Sequence, residues 1–315
     1  MKVFFGVDAL PNFNKTIITT GTFDGVHNGH KMVLNQLQQK AKMLNAQTVV
    51  ITFYPHPRKV LHTHTTELQL INTLEEKISL LEQAGINNLV VIAFDESFYH
   101  LSALAYIKHF LVEKFKPAAI IIGYDHKFGT DRTGDVALLQ AQATKYNYEV
   151  VKIDEHICND IGVSSTKIRQ AITAGNMPLA KEYLGYNFFF QGMVVMGKQL
   201  GRTIGYPTAN LKVPADKLIP KNGVYAVSLN ILNDKYKNQQ LLGMMNIGTR
   251  PTVNGSTHSI EVHIFNFDDD IYDTTVKVFA HQYLRSEVKF NGLDALKNQL
   301  AHDQTHSIAV LHKYL

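Results

Sequence analysis

The chain has 315 residues, 45% hydrophobic and 18% charged, the balance of an ordinary globular protein with about two domains at roughly 150 residues each. Its net charge of +4 comes from scattered lysines and arginines, which point to no dedicated nucleic-acid partner, and one cysteine, Cys158, excludes internal disulfides and Cys-based zinc clusters. Asp8 cuts the apolar run of Met1–Leu10 short, and no stretch reaches the roughly 18 apolar residues of a membrane span, so a cytoplasmic location with no membrane partner is expected.

Thr16–Thr20 is a short β-rich run ending in glycine, and Asn28–Asn45 sets Val33, Leu34, Leu37, Ala41 and Leu44 at helical spacing. Thr48–Tyr54 reads as a strand stopped by Pro55 and Pro57, and Leu74–Ala84 as a helix closed by Gly85. The pattern continues with strand Asn88–Phe94, helix Leu101–Phe115, strand Ala118–Ile122, helix Asp135–Tyr146 and strand Tyr148–Ile153. Such alternation predicts a parallel sheet, because each return crossover needs a helix. Two short helices, Thr166–Ala174 and Pro178–Leu184, lead out of this half.

Phe188–Val195, Gly223–Leu232, Leu241–Ile247, Ser259–Phe267 and Thr274–Ala280 then follow as strand upon strand, with Asn233-Asp234 and Asn254-Gly255 as turn signals. This half predicts an antiparallel barrel, with Phe188, Phe189 and Phe190 in its core. Helical periodicity returns at Leu293–Leu300 and Ser307–Leu315. The domain boundary is placed near Leu184–Asn187, giving domains 1–184 and 185–315.

Gly21-Thr22-Phe23-Asp24-Gly25-Val26-His27-Asn28-Gly29-His30 joins the first strand to the first helix. A helix N-terminus favours an anion, and Gly21, Gly25 and Gly29 let the backbone approach a phosphate closely. His27 and His30, one turn apart, could donate to the same triphosphate and stabilise charge during transfer. An isolated H-x-x-H would be better read as a helix start or a metal site, but the preceding strand and the Gly-rich turn favour the nucleotide here. Ser164, Ser165 and Thr166 bring hydroxyls to another helix start, with Lys167 and Arg169 in its first turn. Read alone, that run is a helix cap.

Gly197-Lys198-Gln199-Leu200-Gly201-Arg202 precedes Gly205, Pro207, Thr208 and Asn210. Glycines and cations suit a loop wrapped round phosphates. Thr208 and Asn210, two apart, point the same way if extended, and their oxygens are hard ligands suited to Mg²⁺. Glu261 alternates with Ile260 and Val262, and a kinase acting on an alcohol gains from a carboxylate that accepts the hydroxyl proton. A solvent-facing strand position is the plainer reading of Glu261. His62-Thr63-His64 lacks a third metal ligand nearby.

G-T-F-D-G-V-H-x-G-H followed by S-S-T-x-I-R resembles the nucleotidyltransferase half of prokaryotic-type bifunctional riboflavin kinase/FAD synthetases. G-R-T-I-G-Y-P-T-A-N-L and E-V-H-I-F resemble the flavokinase half, as does N-I-G-T-R-P-T. The resemblance runs from about Thr16 to Phe290. It implies an α/β nucleotidyltransferase (Rossmann-like) domain followed by a β-barrel riboflavin kinase domain. The barrel would convert riboflavin and ATP to FMN, and the first domain would convert FMN and ATP to FAD and pyrophosphate. It further implies ATP contacts at Phe23, Asp24 and the neighbouring motif residues. Flavin contacts are implied at Phe53, Pro55, His56, Pro57, Arg58, Asp125 and Arg285, Mg²⁺ at Thr208 and Asn210, and the catalytic base at Glu261. His126 and Lys127 stand where that family usually has Phe and Arg, and Lys lacks the bidentate fork. The expected partners are small molecules, and a homo-oligomer is left open. The rival readings are another H-x-G-H cytidylyl- or adenylyltransferase, and a flavin or nucleotide sensor without catalysis.

Overall fold

A computed structural model describes residues 1–315 except 62–67, 124, 154–161, 198, 238, 253–254 and 315, and leaves the side chains of 250–258 and 314 undescribed. The chain divides into two compact units, Met1–Ser165 and Thr166–Leu315.

In the first unit six strands form one sheet in the order β1-β4-β3-β2-β5-β6. They are β1 (Lys2–Phe5), β2 (Thr16–Thr20), β3 (Gln47–Tyr54), β4 (Asn88–Ala93), β5 (Pro117–Gly123) and β6 (Glu149–Ile153). Every pairing is parallel, as predicted. All five residues of β2 are buried, as befits a strand covered on both faces. The apolar stretch at the N-terminus, not read as a strand, pairs with β4 as the half-exposed edge of the sheet.

Helix α1 (Asn28–Leu44) buries Leu34, Leu37 and Ala41, and Asn45 ends it in the left-handed region. Helix α2 (Leu74–Gln83) opens with a capping box between Thr73 and Glu76, whose reciprocal bonds satisfy backbone donors at the helix start. Helix α3 spans 103–115 and is π-helical over Tyr106–Val112. Tyr106, Phe110 and Phe115 from α3 enter a core with Ile18, Ile51, Val90 and Ile120 from the sheet. Helix α4 (Val136–Tyr146) precedes β6. Helix α5 (Ser165–Thr173) begins at the last residue of this unit.

The second unit contains α6 (Met177–Leu184) and then a closed six-stranded barrel in the order β10-β11-β8-β7-β12-β9. Its strands are β7 (Phe189–Val195), β8 (Ala209–Lys212), β9 (Gly223–Ile231), β10 (Leu241–Thr252), β11 (Gly255–Ile264) and β12 (Thr275–Arg285), all antiparallel. Phe188, Phe189 and Phe190 are fully buried, as expected of core. The two C-terminal helices predicted from periodicity are one helix, α7 (Leu293–Leu311). Leu300, Val310 and Leu311 of α7 pack on Ala226, Met244 and Phe265 of the barrel.

Candidate active sites

The first unit has a topological switch at β2, where one crossover series leads through β3 and β4 and the chain then returns beside β2 as β5. In open parallel sheets the crevice beyond the strand ends at such a point is where ligands bind. The turn after β2 holds His27 and His30, and the segment after β5 holds Asp125 and His126.

His27 is the N-cap of α1, its Nδ1 accepting the His30 backbone N–H at 3.4 Å. The two imidazoles stack with centroids 3.7 Å apart, and the Phe23 ring lies 5.1 Å from His30. A Cβ on Gly29 would sit 3.2 Å from the His27 ring, so glycine leaves room for the stack. Burial, then the nearby Lys31, lowers the His27 pKa to about 4. Burial also holds His30 well below its usual value, helped by His27 and Lys77. Both rings are therefore neutral near pH 7, each offering one N–H donor and one acceptor. The buried His30 Nδ1 has no hydrogen-bond partner in the protein.

Phe23 and Val26 sit at φ 47° and 36°, a region that costs a non-glycine residue and a β-branched one most. Side chains brace this turn. The buried Asp24 carboxylate accepts the backbone N–H groups of Ile71 (3.0 Å) and Asn72 (3.3 Å). Ser165 Oγ donates to the Asp24 carbonyl at 2.9 Å, bringing the two sequence motifs together. Ser164 precedes it half-buried, and Thr166 and Arg169 follow on α5 within the second compact unit. Lys77, which the sequence did not single out, donates to the Thr22 carbonyl at 2.7 Å.

Among the flavin-side residues, Phe53 packs its ring with Phe94 and Phe98, at 5.8 and 5.5 Å between centroids. His56 is buried and caps the turn Pro57–Val60 by accepting the Arg58 N–H at 3.2 Å. Pro55, Arg58 and Asp125 are exposed. Lys127 pairs with Asp135 at 3.1 Å, at the N-cap of α4. His126 stacks on Phe128 at 5.8 Å, and burial lowers its pKa to about 4. His62 and His64 lie outside the described residues.

In the barrel, Glu261 on β11 faces Asn210 on β8 in register. Thr208 Oγ1 donates to Glu261 Oε2 at 3.4 Å, and Ser259 Oγ donates to Oε1 at 3.2 Å. Glu261 is therefore half-buried and bracketed by hydroxyls. His263, two residues on, donates from Nδ1 to the Pro207 carbonyl at 2.8 Å and pins the loop end. A Cβ on Gly197 would lie 2.2 Å from Asn210 Nδ2, and one on Gly201 2.2 Å from the Tyr206 carbonyl oxygen. Gly205 turns at φ 86°. Tyr272, which no sequence signal marked, accepts from Gln199 (3.3 Å) and Arg202 (3.4 Å). Lys198 lies outside the described residues. The side-chain oxygens of Thr208 and Asn210 are hard donors of the kind that fits Mg²⁺.

Arg285, at the end of β12, is committed to α7. Its Nε and Nη2 bond both Asp303 carboxylate oxygens at 2.6 to 3.1 Å, and Gln299 adds a donor at 2.9 Å.

A family model described as FAD synthetase matches residues 10–167, and one described as riboflavin kinase matches residues 184–311. Bifunctional riboflavin kinase/FMN adenylyltransferase from Escherichia coli K12 is 37% identical over 307 residues, covering 96% of each chain. Its counterpart from Listeria monocytogenes is 36% identical, covering 97% of this chain and 95% of its own. A crystal structure of a protein from Streptococcus pneumoniae, described as a macrolide-efflux protein, superposes with a TM-score of 0.86 at 30% identity over 98% of this chain and 99% of that one. Among the described residues no helix is long and apolar enough to cross a membrane. The chain belongs to the bifunctional riboflavin kinase/FMN adenylyltransferase family.

Proposed function

We propose that the barrel makes FMN from riboflavin and ATP, and that the parallel-sheet half makes FAD from that FMN and a second ATP. The functional boundary is put at residues 184/185, at the start of the riboflavin kinase match, which begins at residue 184. The observation that carries this reading is the Glu261 carboxylate held between Thr208 and Ser259 hydroxyls and facing Asn210.

In the kinase reaction the ribityl 5′-hydroxyl attacks the γ-phosphorus of ATP, its proton passes to Glu261, and ADP leaves. Thr208 and Asn210 would hold Mg²⁺, which neutralises phosphate charge when bound. Arg202 and the 197–205 loop would cradle the phosphates. Arg285, immobilised by Asp303, would orient the flavin.

In the second reaction a phosphate oxygen of FMN attacks the α-phosphorus of ATP and pyrophosphate leaves. The nucleophile is already anionic, so no base is needed, and catalysis is positioning and charge stabilisation. His27 and His30, neutral and preorganised, would donate hydrogen bonds to the triphosphate at the start of α1, with Ser164 and Ser165 supporting its phosphates. Phe53, Pro55, His56, Pro57, Arg58 and Asp125 would border the flavin. A cytoplasmic site of action agrees with the single cysteine.

Incubating the full chain with riboflavin, ATP and Mg²⁺ and resolving the flavins by chromatography should show FMN rising first and FAD following. FAD formed from FMN but never from riboflavin would reduce the protein to a lone adenylyltransferase, and neither product would leave only a binding protein.

A further inference from the structure

Lys77 projects from α2 with 6% of its surface exposed. Removing an ammonium from water is costly, and such a group persists where fixed partners replace its hydration. The cost shows in a pKa brought down by burial to about 8, against an upward pull from Asp24. Its Nζ donates to the Thr22 carbonyl at 2.7 Å and lies 3.4 Å from the Thr52 hydroxyl. Thr52 Oγ1 itself donates to that carbonyl at 3.2 Å. Two donors thus converge on one oxygen.

Thr22 immediately precedes the strained Phe23–Val26 turn, and Thr52 immediately precedes Phe53 on β3. Peptide planarity couples the two sides of the Thr22–Phe23 bond, so fixing the Thr22 oxygen also fixes the direction of the Phe23 N–H. One buried side chain therefore ties the turn that leads into His27 and His30 to the strand that enters the Pro55–Arg58 loop. We propose that Lys77 is a positioning residue for adenylyl transfer, holding the Thr22 carbonyl so that the 23–26 turn presents its backbone N–H groups and the two histidines to the triphosphate of ATP. This role rests on assigning FMN adenylylation to the first half of the chain.

The test is Lys77→Met in the full chain, which keeps length and volume while removing the donor. Lost positioning acts on the anion, so kcat/KM for ATP in FAD formation from FMN should fall on the order of tenfold to a hundredfold. Competitive inhibition by uncharged adenosine should stay within about twofold of wild type, because positioning of the phosphates contributes nothing to it. FMN formation from riboflavin should be unchanged. A kcat/KM for ATP within about threefold of wild type, below the scale of a misplaced reacting group, would overturn the proposal, and so would equal losses of ATP and adenosine binding, which mark general distortion. If Lys77→Met does not fold, Thr52→Val removes the second donor to the same carbonyl, together with the hydroxyl that Lys77 Nζ approaches, while leaving the Lys77–Thr22 bond. It should lower kcat/KM for ATP severalfold, and no change would overturn the proposal. Wild-type protein that forms no FAD from FMN would instead remove the adenylyltransferase assignment itself.

Discussion

Ser165 Oγ donates to the Asp24 backbone carbonyl at 2.9 Å, joining segments 141 residues apart. The turn it meets is strained at Phe23 and Val26, and the Asp24 carboxylate anchors it on the far side through Ile71 and Asn72. Strain of this kind persists where the surroundings over-determine the backbone. His27 and His30 emerge from that turn already stacked, with an unpartnered nitrogen on His30.

His30→Ala should therefore suppress FAD formation while leaving FMN formation intact. Loss of one preorganised donor costs on the order of 10²–10³ in rate. Unchanged conversion of FMN to FAD by a folded variant would reduce His30 to part of a helix start.

Gly197→Ala should impair the kinase reaction alone. The new methyl would overlap the Asn210 carboxamide, with Nδ2 only 2.2 Å away, and displace a proposed Mg²⁺ ligand. A displacement near 1 Å can cost on the order of 10²-fold. The check is the rate of FMN formation at several Mg²⁺ concentrations, with FAD formation from FMN as the internal control. Equal loss of both reactions would point to misfolding instead.

Asp303→Asn tests the tie between α7 and Arg285. Asp303 is 3% exposed and Arg285 22%, so the pair is poorly screened. Loss of a charged hydrogen-bond acceptor should destabilise the barrel by about 1.5–3 kcal/mol. It should also raise the riboflavin KM as the guanidinium loses its fixed direction. A full-strength melting transition with unaltered KM would detach this pair from the flavin site.

Acid should loosen the first half through His27. Its folded pKa, about 4, lies below the unfolded value of 6.5, so the unfolded chain binds the proton first. Stability is therefore complete above pH 6.5 and falls as pH drops towards 4, by at most about 3 kcal/mol from this one group. His27→Asn keeps an N-cap acceptor and should flatten that loss by one proton's worth. Melting temperatures between pH 7 and 4 give the answer, and identical slopes would show that His27 does not titrate in this range.

Local signals made much of this molecule legible. Strand and helix alternation implied the parallel sheet, and the H-x-G-H and P-T-A-N segments sit at the strand ends where the sites are built. Long-range packing hid the rest. Strand β8 has four residues and exists because β7 and β11 pair with it on either side. Helix α7 read as two pieces because Asp303, in the gap between them, occupies a buried position where a helical stripe would carry an apolar residue. The Asp303 position is satisfied by Arg285, 18 residues earlier. No sequence signal marked Lys77, and only the fold delivers its ammonium to Thr22. Tyr272 likewise meets Arg202 from 70 residues away.

Glu261→Gln gives the most direct test of the central claim, that two chemistries occupy separate sites on one chain. The carboxamide keeps the size of the side chain between Thr208 and Ser259 but cannot take the ribityl proton. With saturating riboflavin and Mg-ATP, FMN formation should fall roughly 10²–10⁴-fold, the range for a general base. The same preparation supplied with FMN should make FAD at the wild-type rate. FMN formation within about threefold of wild type, far short of that range, or a parallel collapse of FAD synthesis, would contradict the account.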